Sequence, residues 1–508
     1  MSVFSLNGFP YFFHENTAVF IDIEADQTNV DDESDDDGAN NCGSWSQLPD
    51  LVVEQVFSYL TIRQRYYASL VCRSWSAAFD LQHVWATFTF DDSTLTRRKF
   101  NYYYGWQHVL DHMRLQNCLS RIGRNIRCLT FAPLVNFFNL YEFMNMFSYF
   151  AEQPPPANLG IGPNIRSLRF VFPCNMAVGD ETEQAHIFGT GGKLLEALKR
   201  LMGNLPGLRH LELIDLMLDT REAQYLLDEV CSVCCTTLHT LAVVNTTKLN
   251  YQLLHVGVFL NLQVLVISPQ NLGDDVVNLL ANTALRHLHL VQNGYTPEDL
   301  VFKPVSSQVW SLCRLTNPQL AVHLEVEGPR NRDPLWQRKA PVHSVLYQSP
   351  HARVVSESIL TVVDLYRHDL RIYGHRGLPK FNMAKSFHDR IDSLLLLLCR
   401  QCPYLHTLVP QTLCGIVRER ISTSTVILLA YTAKNLLYFY VRRNAVILRC
   451  DWPENPEWTP EFYKWLRTSS RTYEAAEREV SQMIGRSWTL LSDRQFLITH
   501  VNQHHSPY

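Results

Sequence analysis

One apolar pattern repeats along the middle of the chain. In each of six copies, an apolar residue is followed by a second three positions later and a third two positions after that. The copies are Ile126-Leu129-Phe131, Ile165-Leu168-Phe170, Leu208-Leu211-Leu213, Leu238-Leu241-Val243, Leu262-Leu265-Ile267 and Leu285-Leu288-Leu290. The last four begin 30, 24 and 23 residues apart, which fits a repeat built from one strand and one helix. Each copy therefore predicts one short strand.

Helical patterns lie between these predicted strands. Residues 193–202, 221–231 and 274–280 are each apolar on one face. A single strand and helix cannot bury their apolar faces alone, but stacked neighbours bury a continuous core. Each inward Leu or Ile is then expected to contribute about 1.5–3 kcal/mol.

The repeat is irregular at both ends. The first two intervals are 39 and 43 residues, and the excess falls in the loop-like stretches 153–163 and 173–192. Beyond residue 300 the stretch Leu320-Val322-Leu324-Val326 alternates as a strand does, and residues 328–350 are predicted to form an irregular loop. Two further copies are predicted at Leu405-Leu408 and Leu436-Phe439-Val441, while residues 356–373 fit either a strand or a helix.

A different, helical spacing marks residues 48–85, LPDLVVEQVFSYLTIRQRYYASLVCRSWSAAFDLQHVW. Its apolar groups are Val52, Val53, Val56, Phe57 and Leu60, then Leu70, Val71, Trp75 and Phe79. Two such short helices do not persist alone in water, so packing or a partner must hold them. A third helix, linking this region to the repeats, is predicted from Tyr102, Tyr103, Tyr104, Trp106, Val109, Leu110, Met113 and Leu115.

Residues 48–85 resemble an F-box, the adaptor-binding module of cullin–RING ubiquitin ligases. The matching residues are Leu48-Pro49 at the opening, Val52-Val53, Val56-Phe57 and Tyr59-Leu60 at the family's LL…IFSYL, Leu70-Val71-Cys72-Arg73 and Trp75 at its LVCRxW, and Trp85 at the close. Two positions depart from the family: Leu51 replaces a commonly acidic residue, and Gln64-Arg65 replaces Asp-Leu. The alternative is an ordinary buried helical hairpin.

The cysteines at repeat ends add a second resemblance. Cys402-Pro403-Tyr404-Leu405 is similar to the CPxL junction of cysteine-containing leucine-rich repeats, and residues 234–238 are a looser version. An F-box followed by such repeats is similar to the layout of F-box/leucine-rich-repeat substrate receptors. Among these, the F-box only proteins with divergent repeats, of the F-box only protein 33 or 39 kind, are the most similar.

The expected fold is therefore α+β overall, with a small all-α F-box followed by an α/β leucine-rich-repeat solenoid. Five regions are expected: a disordered acidic leader (1–43), the F-box (44–90), a helical linker (91–121), the solenoid with irregular insertions (122–455) and a helical C-terminal cap (456–508).

Composition and charge limit the classes of function and partner that are expected. The 508 residues are 46% hydrophobic and 19% charged, as in a folded protein too long for one core. The net charge is −4, and six acidic residues between 31 and 37 leave the remainder near +2, so nucleic acid is not expected as a partner. The sequence shows neither a signal peptide nor an apolar stretch long enough to span a bilayer. We therefore expect no membrane partner and a cytoplasmic and/or nuclear location.

No catalytic motif of the GxxxxGK[ST], GxSxG or HExxH kind is present, so neither an enzyme nor a cofactor is expected. Thirteen cysteines without a repeating framework indicate reduced thiols. Two cysteine groups, at 231–235 and 399–402, have zinc-like spacing but lie about 165 residues apart, which favours buried thiols over a metal site. His287 and His289 flank Leu288 and should share an exposed face, where they are surface or phosphate-binding residues or, less favoured, metal ligands.

The resemblance implies a substrate-recognition subunit of a Skp–cullin–F-box ubiquitin ligase. The F-box would bind a Skp-type adaptor and, through it, a cullin and a RING subunit. The residues implied in adaptor binding are Leu48, Pro49, Val52, Val53, Val56, Phe57, Leu60, Leu70, Val71, Cys72, Trp75 and Trp85. The alternative is an adaptor-bound scaffold or protein-interaction module without a ligase role.

Strand alternation predicts a substrate face on the sheet. The residues between the inward apolar positions would be exposed: Thr130, Ser167, Arg169, His210, Glu212, Thr240, Val266, His287, His289, Tyr438, Tyr440 and Arg442. From these, Arg169, His210, Glu212, His287, His289, Tyr438 and Tyr440 are the predicted substrate-binding residues. Arg and His with Tyr anchors suit an acidic or phosphorylated substrate protein.

Overall fold

The structure is a computed structural model. It describes residues 44–103, 105–134, 136–153, 160–172, 192–297, 302–327, 333–348, 356–375, 392–409, 421–450, 452 and 458–498. The predicted acidic leader and most of the two predicted insertions lie outside these residues.

Sixteen strands occur in the described residues. They are β1 (Thr87–Phe90), β2 (Thr96–Asn101), β3 (Gly105–Leu110), β4 (Cys128–Phe131), β5 (Ser167–Val171), β6 (His210–Ile214), β7 (Thr240–Val244), β8 (Val264–Ile267), β9 (His287–Gln292), β10 (Ala321–Val326), β11 (Val342–Tyr347), β12 (Ile372–His375), β13 (Thr407–Val409), β14 (Ile421–Ser422), β15 (Tyr438–Phe439) and β16 (Val446–Ile447).

Sixteen α-helices occur in the same residues. They are α1 (Asp50–Ser58), α2 (Ile62–Ser69), α3 (Arg73–Ala78), α4 (His112–Ile122), α5 (Phe137–Glu152), α6 (Ile161–Asn164), α7 (Lys193–Gly203), α8 (Thr220–Cys234), α9 (Asp274–Ala281), α10 (Ser307–Thr316), α11 (Ser356–Tyr366), α12 (Asp392–Gln401), α13 (Thr423–Thr432), α14 (Pro460–Ser469), α15 (Tyr473–Ile484) and α16 (Asp493–Ile498).

Twelve strands form one sheet in the order β1-β4-β5-β6-β7-β8-β9-β10-β11-β12-β13-β15, and all neighbours are parallel. The register aligns the middle Leu of successive repeats, so that Leu168 pairs with Leu211 and Leu241 with Leu265. These side chains are fully buried or nearly so, because each contacts its counterparts in adjacent strands and the helices behind them. The predicted α+β fold, a helical N-terminal module followed by an α/β repeat array, is confirmed.

Most predicted elements are present. All six copies of the apolar pattern coincide with strands, β4 to β9, and the three helical patterns coincide with α7, α8 and α9. The later copies correspond to β13 and β15, and the alternating stretch at 320–326 is β10. Residues 356–373 hold both elements that the sequence left open, since α11 is followed by β12.

Two predictions were wrong. The helix predicted over residues 102–115 is instead the antiparallel β2–β3 hairpin followed by α4. The stretch 328–350, predicted as an irregular loop, contains β11, whose pairing with β10 includes a register shift next to Val322. The sheet also begins earlier than predicted, because β1 joins it directly after the N-terminal helices.

The apolar core is continuous across the whole array. One cluster of buried side chains runs from Val53 in α1 to Leu490 near the C-terminal helices. A second, small cluster lies on the opposite face of the sheet and contains Ala242, Val244, Val264, Val266 and Val291. Among the described residues, no helix is both long and apolar enough to cross a membrane.

Candidate functional site

The first three helices owe their form to local capping. Pro49 precedes α1, and its carbonyl accepts from the amides of Val52 and Val53 at 2.9 and 3.2 Å. A proline suits this position because the first amides of a helix have no intrahelical partner. At α2, Thr61 and Gln64 form a reciprocal capping box, with Thr61 N donating to Gln64 Oε1 at 2.9 Å. The Gln that departs from the family pattern therefore starts this helix.

Aromatic rings fill the small core between these helices. Phe57 lies edge-on to Trp75 and Phe79, with ring centroids 5.8 and 6.5 Å apart. Phe79 in turn lies edge-on to Trp85 at 5.0 Å, and Trp85 Nε1 donates to the Phe79 carbonyl at 2.6 Å. Edge-to-face packing of this kind stabilises the core beyond the effect of the ring area that is buried. Phe57 and Trp85 thus form the support of the module.

Arg65, the second departure from the family pattern, is buried in this core. Its Nε donates to the Phe57 carbonyl at 3.0 Å and its Nη2 to the Ser58 carbonyl at 3.3 Å. Its guanidinium also lies over the Trp85 ring at 5.1 Å. Since the last carbonyls of a helix have no intrahelical partner, Arg65 satisfies the end of α1 while packing on Trp85.

The surface of the module is strongly apolar. Leu51 is 77% exposed, Tyr59 80%, Leu70 64% and Val71 67%. Val52 is also exposed. Trp45 lies beside α3, because its carbonyl accepts a hydrogen bond from Trp75 Nε1 at 3.1 Å. Exposed apolar side chains concentrated on one small module mark an interaction site.

The predicted adaptor-binding residues divide by burial. Pro49, Val52, Leu70 and Val71 are exposed, and Leu48, Val56, Leu60, Cys72 and Trp75 are half-buried. Contact with an adaptor stays a prediction for all twelve residues, of which Val53, Phe57 and Trp85 are buried in this conformation. These three hold the surface in place from behind. Leu51 and Tyr59, which were not predicted, belong to the exposed set.

The module is joined rigidly to the array. Trp85 is separated from β1 by Ala86 alone, and the Ala86 carbonyl accepts from the amides of Arg127 and Cys128, both at 2.8 Å. Arg121 of α4 forms an ion pair with Asp80. These contacts fix the direction of the apolar surface relative to the sheet.

The predicted substrate face begins with Arg169 and Glu212, which occupy paired positions of β5 and β6. Their side chains form an ion pair, with Arg169 Nε 3.3 Å from Glu212 Oε2. Burial raises the pKa of Glu212, and the Arg169 charge opposes that rise. His210, two residues before Glu212 on β6, is exposed, and its Nδ1 lies 3.1 Å from Thr240 Oγ1. The Arg169 charge is thus already engaged within the sheet.

Histidines of β9 and β10 form a second group. His287 Nδ1 lies 3.1 Å from His323 Nε2, and His323 Nδ1 lies 2.7 Å from Ser344 Oγ. The rings of His289 and His323 stack with centroids 4.2 Å apart, and His289 Nδ1 contacts Glu325 Oε1 at 2.7 Å. Burial is the main cause of a lowered pKa at His287.

The prediction that His287 and His289 share an open face is wrong. His287 is half-buried, and His289 is only 2% exposed because His323 and Glu325 pack over it. His323 and Glu325 were not predicted as residues of this face, although both alternate with the apolar Val322, Leu324 and Val326. The same alternation that identified His287 and His289 identifies them.

Tyr438 and Tyr440 form the third group, at the far end of the sheet. Their rings stack at 6.2 Å, and the Arg486 guanidinium lies over Tyr438 at 5.1 Å. β15 is five strands from β9 in the sheet order, which is about 24 Å at the usual strand spacing. The seven predicted substrate residues therefore form three separate groups instead of one site.

Three other predicted positions of the face are not exposed. Thr240 and Val266 are buried against neighbouring strands, and Arg442 is buried with Nη2 2.7 Å from Asp493 Oδ1. The open substrate face predicted from alternation is wrong in the middle of the sheet, where side chains of adjacent strands cover one another.

In the two cysteine groups, Cys234, Cys399 and Cys402 are buried, and Cys231 and Cys235 are half-buried. Burial is the main cause that raises the pKa of Cys234 to about 12, and it raises that of Cys399 and Cys402 to about 12 as well. A thiol must lose its proton to bind zinc, so these surroundings favour neutral thiols. Within the described ranges, no group of three or more His, Cys, Asp or Glu is arranged to hold a metal ion.

Comparison with known proteins agrees with this arrangement. A family model described as F-box-like matches residues 45–91. Human F-box/LRR-repeat protein 8 is 26% identical over 297 residues, covering 55% of this chain and 67% of that protein. The structure described as "Crystal structure of TLR13-ssRNA13 complex" is 11% identical with a TM-score of 0.26, and the match covers 62% of this chain but only 49% of that one. Identity and structural overlap this low do not establish a common fold.

The finer resemblance to F-box only proteins of the 33 or 39 kind stays a prediction. The matched F-box-like residues coincide with α1, α2 and α3, and the parallel repeats follow directly after them. The chain therefore carries an F-box-like module followed by a parallel repeat array, an arrangement similar to that of F-box proteins with leucine-rich repeats.

Proposed function

We propose that the chain is the substrate-recognition subunit of a Skp–cullin–F-box ubiquitin ligase. The observation that carries this proposal is the exposed apolar surface of Leu51, Val52, Leu70 and Val71 on an F-box-like module. Burying a Leu or Val side chain against a partner contributes about 1.5–3 kcal/mol. A Skp-type adaptor is the partner that this family of modules takes, and a cullin and a RING subunit follow through it.

The chain acts by positioning in this proposal. The adaptor holds one end, and the array holds the client protein. Ala86 is the single residue between Trp85 and β1, and its carbonyl accepts from the amides of Arg127 and Cys128, so the module contacts the array directly. Ubiquitin transfer then gains from the high effective concentration of the acceptor lysine at the activated ubiquitin. No acid, base or nucleophile of this chain takes part, and the action would occur in the cytoplasm or nucleus.

The test is co-purification of the full chain with the adaptor and the cullin. The variant Leu70→Ser with Val71→Ser removes two exposed side chains without opening the core. Its matched control, Leu254→Ser with Leu260→Ser, changes two exposed leucines of the array. Wild type and control should capture both proteins, and the variant should capture neither.

Two outcomes would reject the proposal. If the variant retains both proteins, the apolar surface does not bind the adaptor. Capture of the adaptor without the cullin, and without ubiquitinated clients, would instead support an adaptor-bound scaffold.

A further inference from the structure

The β2–β3 hairpin stands outside the twelve-stranded sheet, between β1 and α4. Its base is fixed to the array: Leu110 N donates to Asn139 Oδ1 at 2.8 Å, and Asn139 Nδ2 donates to the His108 carbonyl at 2.9 Å. Arg114 Nη1 also donates to the Thr96 carbonyl at 3.3 Å. Among the described residues, β2 pairs with β3 alone, which leaves its other edge open.

Aromatic side chains cover the far end of this hairpin. Tyr102 and Tyr103 are 88% and 86% exposed, and Phe100 and Trp106 are 57% and 71% exposed. Phe100 and Trp106 face each other across the strands with ring centroids 5.4 Å apart. Large exposed aromatic groups on a fixed support are typical of binding anchors, because each ring buries much area at a small entropic cost.

The hairpin is also locally basic. Arg97, Arg98 and Lys99 are exposed, and none of them has an ion-pair partner in the part of the chain that the structure describes. Residues 96–110 contain no Asp or Glu, although the whole chain carries a net charge of −4. The hairpin is therefore positive and rich in exposed aromatic rings on a chain that is negative overall. Arg98, Phe100 and Trp106 share one face of the hairpin, and Arg97 and Lys99 share the other.

We propose that this hairpin is a docking surface for an extended acidic segment of a partner protein. Arg97 and Lys99 are two residues apart and point to the same face of β2, about 6.8 Å from each other. Alternate side chains of an extended peptide have the same spacing, so two carboxylates of such a peptide reach both cations. The open edge of β2 supplies main-chain hydrogen bonds, as in strand addition.

In the receptor role proposed above, this partner is the client. That part rests on the proposed function, whereas binding of the acidic segment itself does not depend on the adaptor. On the described sheet face, by contrast, Arg169 is already paired with Glu212 and His289 with Glu325.

The experiment measures binding of a fluorescent peptide, NVDDESDDDGAN, to the full chain by anisotropy. The peptide copies residues 29–40, and a second peptide with Asn or Gln at every acidic position is its control. The hairpin variant is Arg97→Gln, Arg98→Gln and Lys99→Gln. The charge-matched control is Lys464→Gln, Arg467→Gln and Arg478→Gln, at exposed positions of α14 and α15.

Because the chain's own leader contains the same acidic run, every measurement is repeated in a leader variant. That variant carries Asn at 31, 32, 35, 36 and 37 and Gln at 33. Adaptor capture is followed in the same preparations, so a failure of the receptor role is seen separately from a failure of the hairpin.

We expect wild type, the leader variant and the charge-matched control to bind the acidic peptide, with affinity that falls as salt is raised. The hairpin variant should bind at least about tenfold more weakly. Its adaptor capture should be unchanged. The neutral peptide should bind none of the proteins.

Four results would overturn the proposal. One is equal binding by the hairpin variant and the charge-matched control. Another is binding that appears only in the leader variant, which would assign the surface to the chain's own leader. A third is self-association of the hairpin variant with unchanged peptide binding, because edge cations also prevent strand pairing between molecules. The last is a single-stranded oligonucleotide that binds more tightly and displaces the peptide, since cations and exposed aromatic rings also suit nucleic acid.

Discussion

On the N-terminal module, large apolar side chains such as Leu51 and Leu70 face the solvent, whereas on the strand face of β5–β10 the polar side chains contact one another. Arg169 has Glu212, His289 has Glu325, and His323 has Ser344. A surface whose groups are satisfied within the chain gains little from a partner, but an exposed apolar surface gains by burial. We therefore propose that the module is the part that binds a partner, whereas the polar groups of the central sheet face contact one another within the chain.

The largest loss of stability is expected when the aromatic core of the module is changed. Phe57→Ala removes a fully buried ring that contacts Trp75 and Phe79, which should lower the free energy of unfolding by about 3–5 kcal/mol. Chemical denaturation followed by tryptophan fluorescence measures the loss. A loss below about 1 kcal/mol would show that the module does not depend on this core.

A smaller loss of stability is expected when the buried pair of His289 and Glu325 on the sheet face is broken. Glu325→Ala leaves His289 without its carboxylate in surroundings that exclude water, so the free energy of unfolding should fall by about 1–3 kcal/mol. Glu212→Ala is the control, because its partner Arg169 is half exposed to solvent and the pair should contribute at most about 1 kcal/mol. Equal losses in the two variants would contradict the distinction between buried and exposed pairs.

Acid should destabilise the array more than the module. Burial, with Arg371 nearby, lowers the pKa of His343 to about 4 from its usual 6.5, and burial also lowers the pKa of His406 and His287. The folded state resists protonation of these rings, so stability is full above pH 6.5 and is lost as the pH falls towards 4. For the partly exposed His343, we expect a loss of about 1 kcal/mol between pH 7 and pH 5.

His343→Gln tests this assignment, because the variant should lose less stability than wild type over that range. The readout is the denaturation midpoint at pH 7 and pH 5. Parallel pH profiles for the two proteins would contradict the role of this histidine.

The smallest effect on stability is expected at the exposed apolar surface. Leu51→Ser removes a side chain that is almost fully in solvent, so the free energy of unfolding should change by less than about 0.5 kcal/mol. Adaptor affinity, measured in the same preparation, should nevertheless fall by at least about tenfold if Leu51 is covered on binding. If the free energy of unfolding changes but the adaptor affinity does not, Leu51 stabilises the fold and is not covered by the adaptor.

The sequence predicted the repeats well because each Leu has a fixed partner one repeat away, as Leu211 pairs with Leu241. It failed for β11 because an extra residue near His343 shifts the register and breaks the alternation on which strand prediction depends. It failed for the hairpin because β2 exposes polar residues on both faces, so no period-two apolar signal exists. Gly105, with φ +72°, ends the turn in a conformation that favours glycine.

The site was predicted in the same uneven way. Local spacing located the apolar residues of the module, but it did not separate Phe57, which is buried, from Leu70, which is exposed. That division depends on how three short helices pack together. The burial of His289 depends on Glu325, which lies 36 residues later and one strand away, so local alternation could not reveal it.

The most direct measurement is titration calorimetry of the full chain with the purified Skp-type adaptor, comparing wild type with Leu70→Ser and Val71→Ser together. Wild type is expected to bind, and the variant is expected to bind at least about tenfold more weakly with an unchanged unfolding midpoint. Failure of wild type to bind, or equal affinity of the folded variant, would contradict the assignment of this surface to the adaptor.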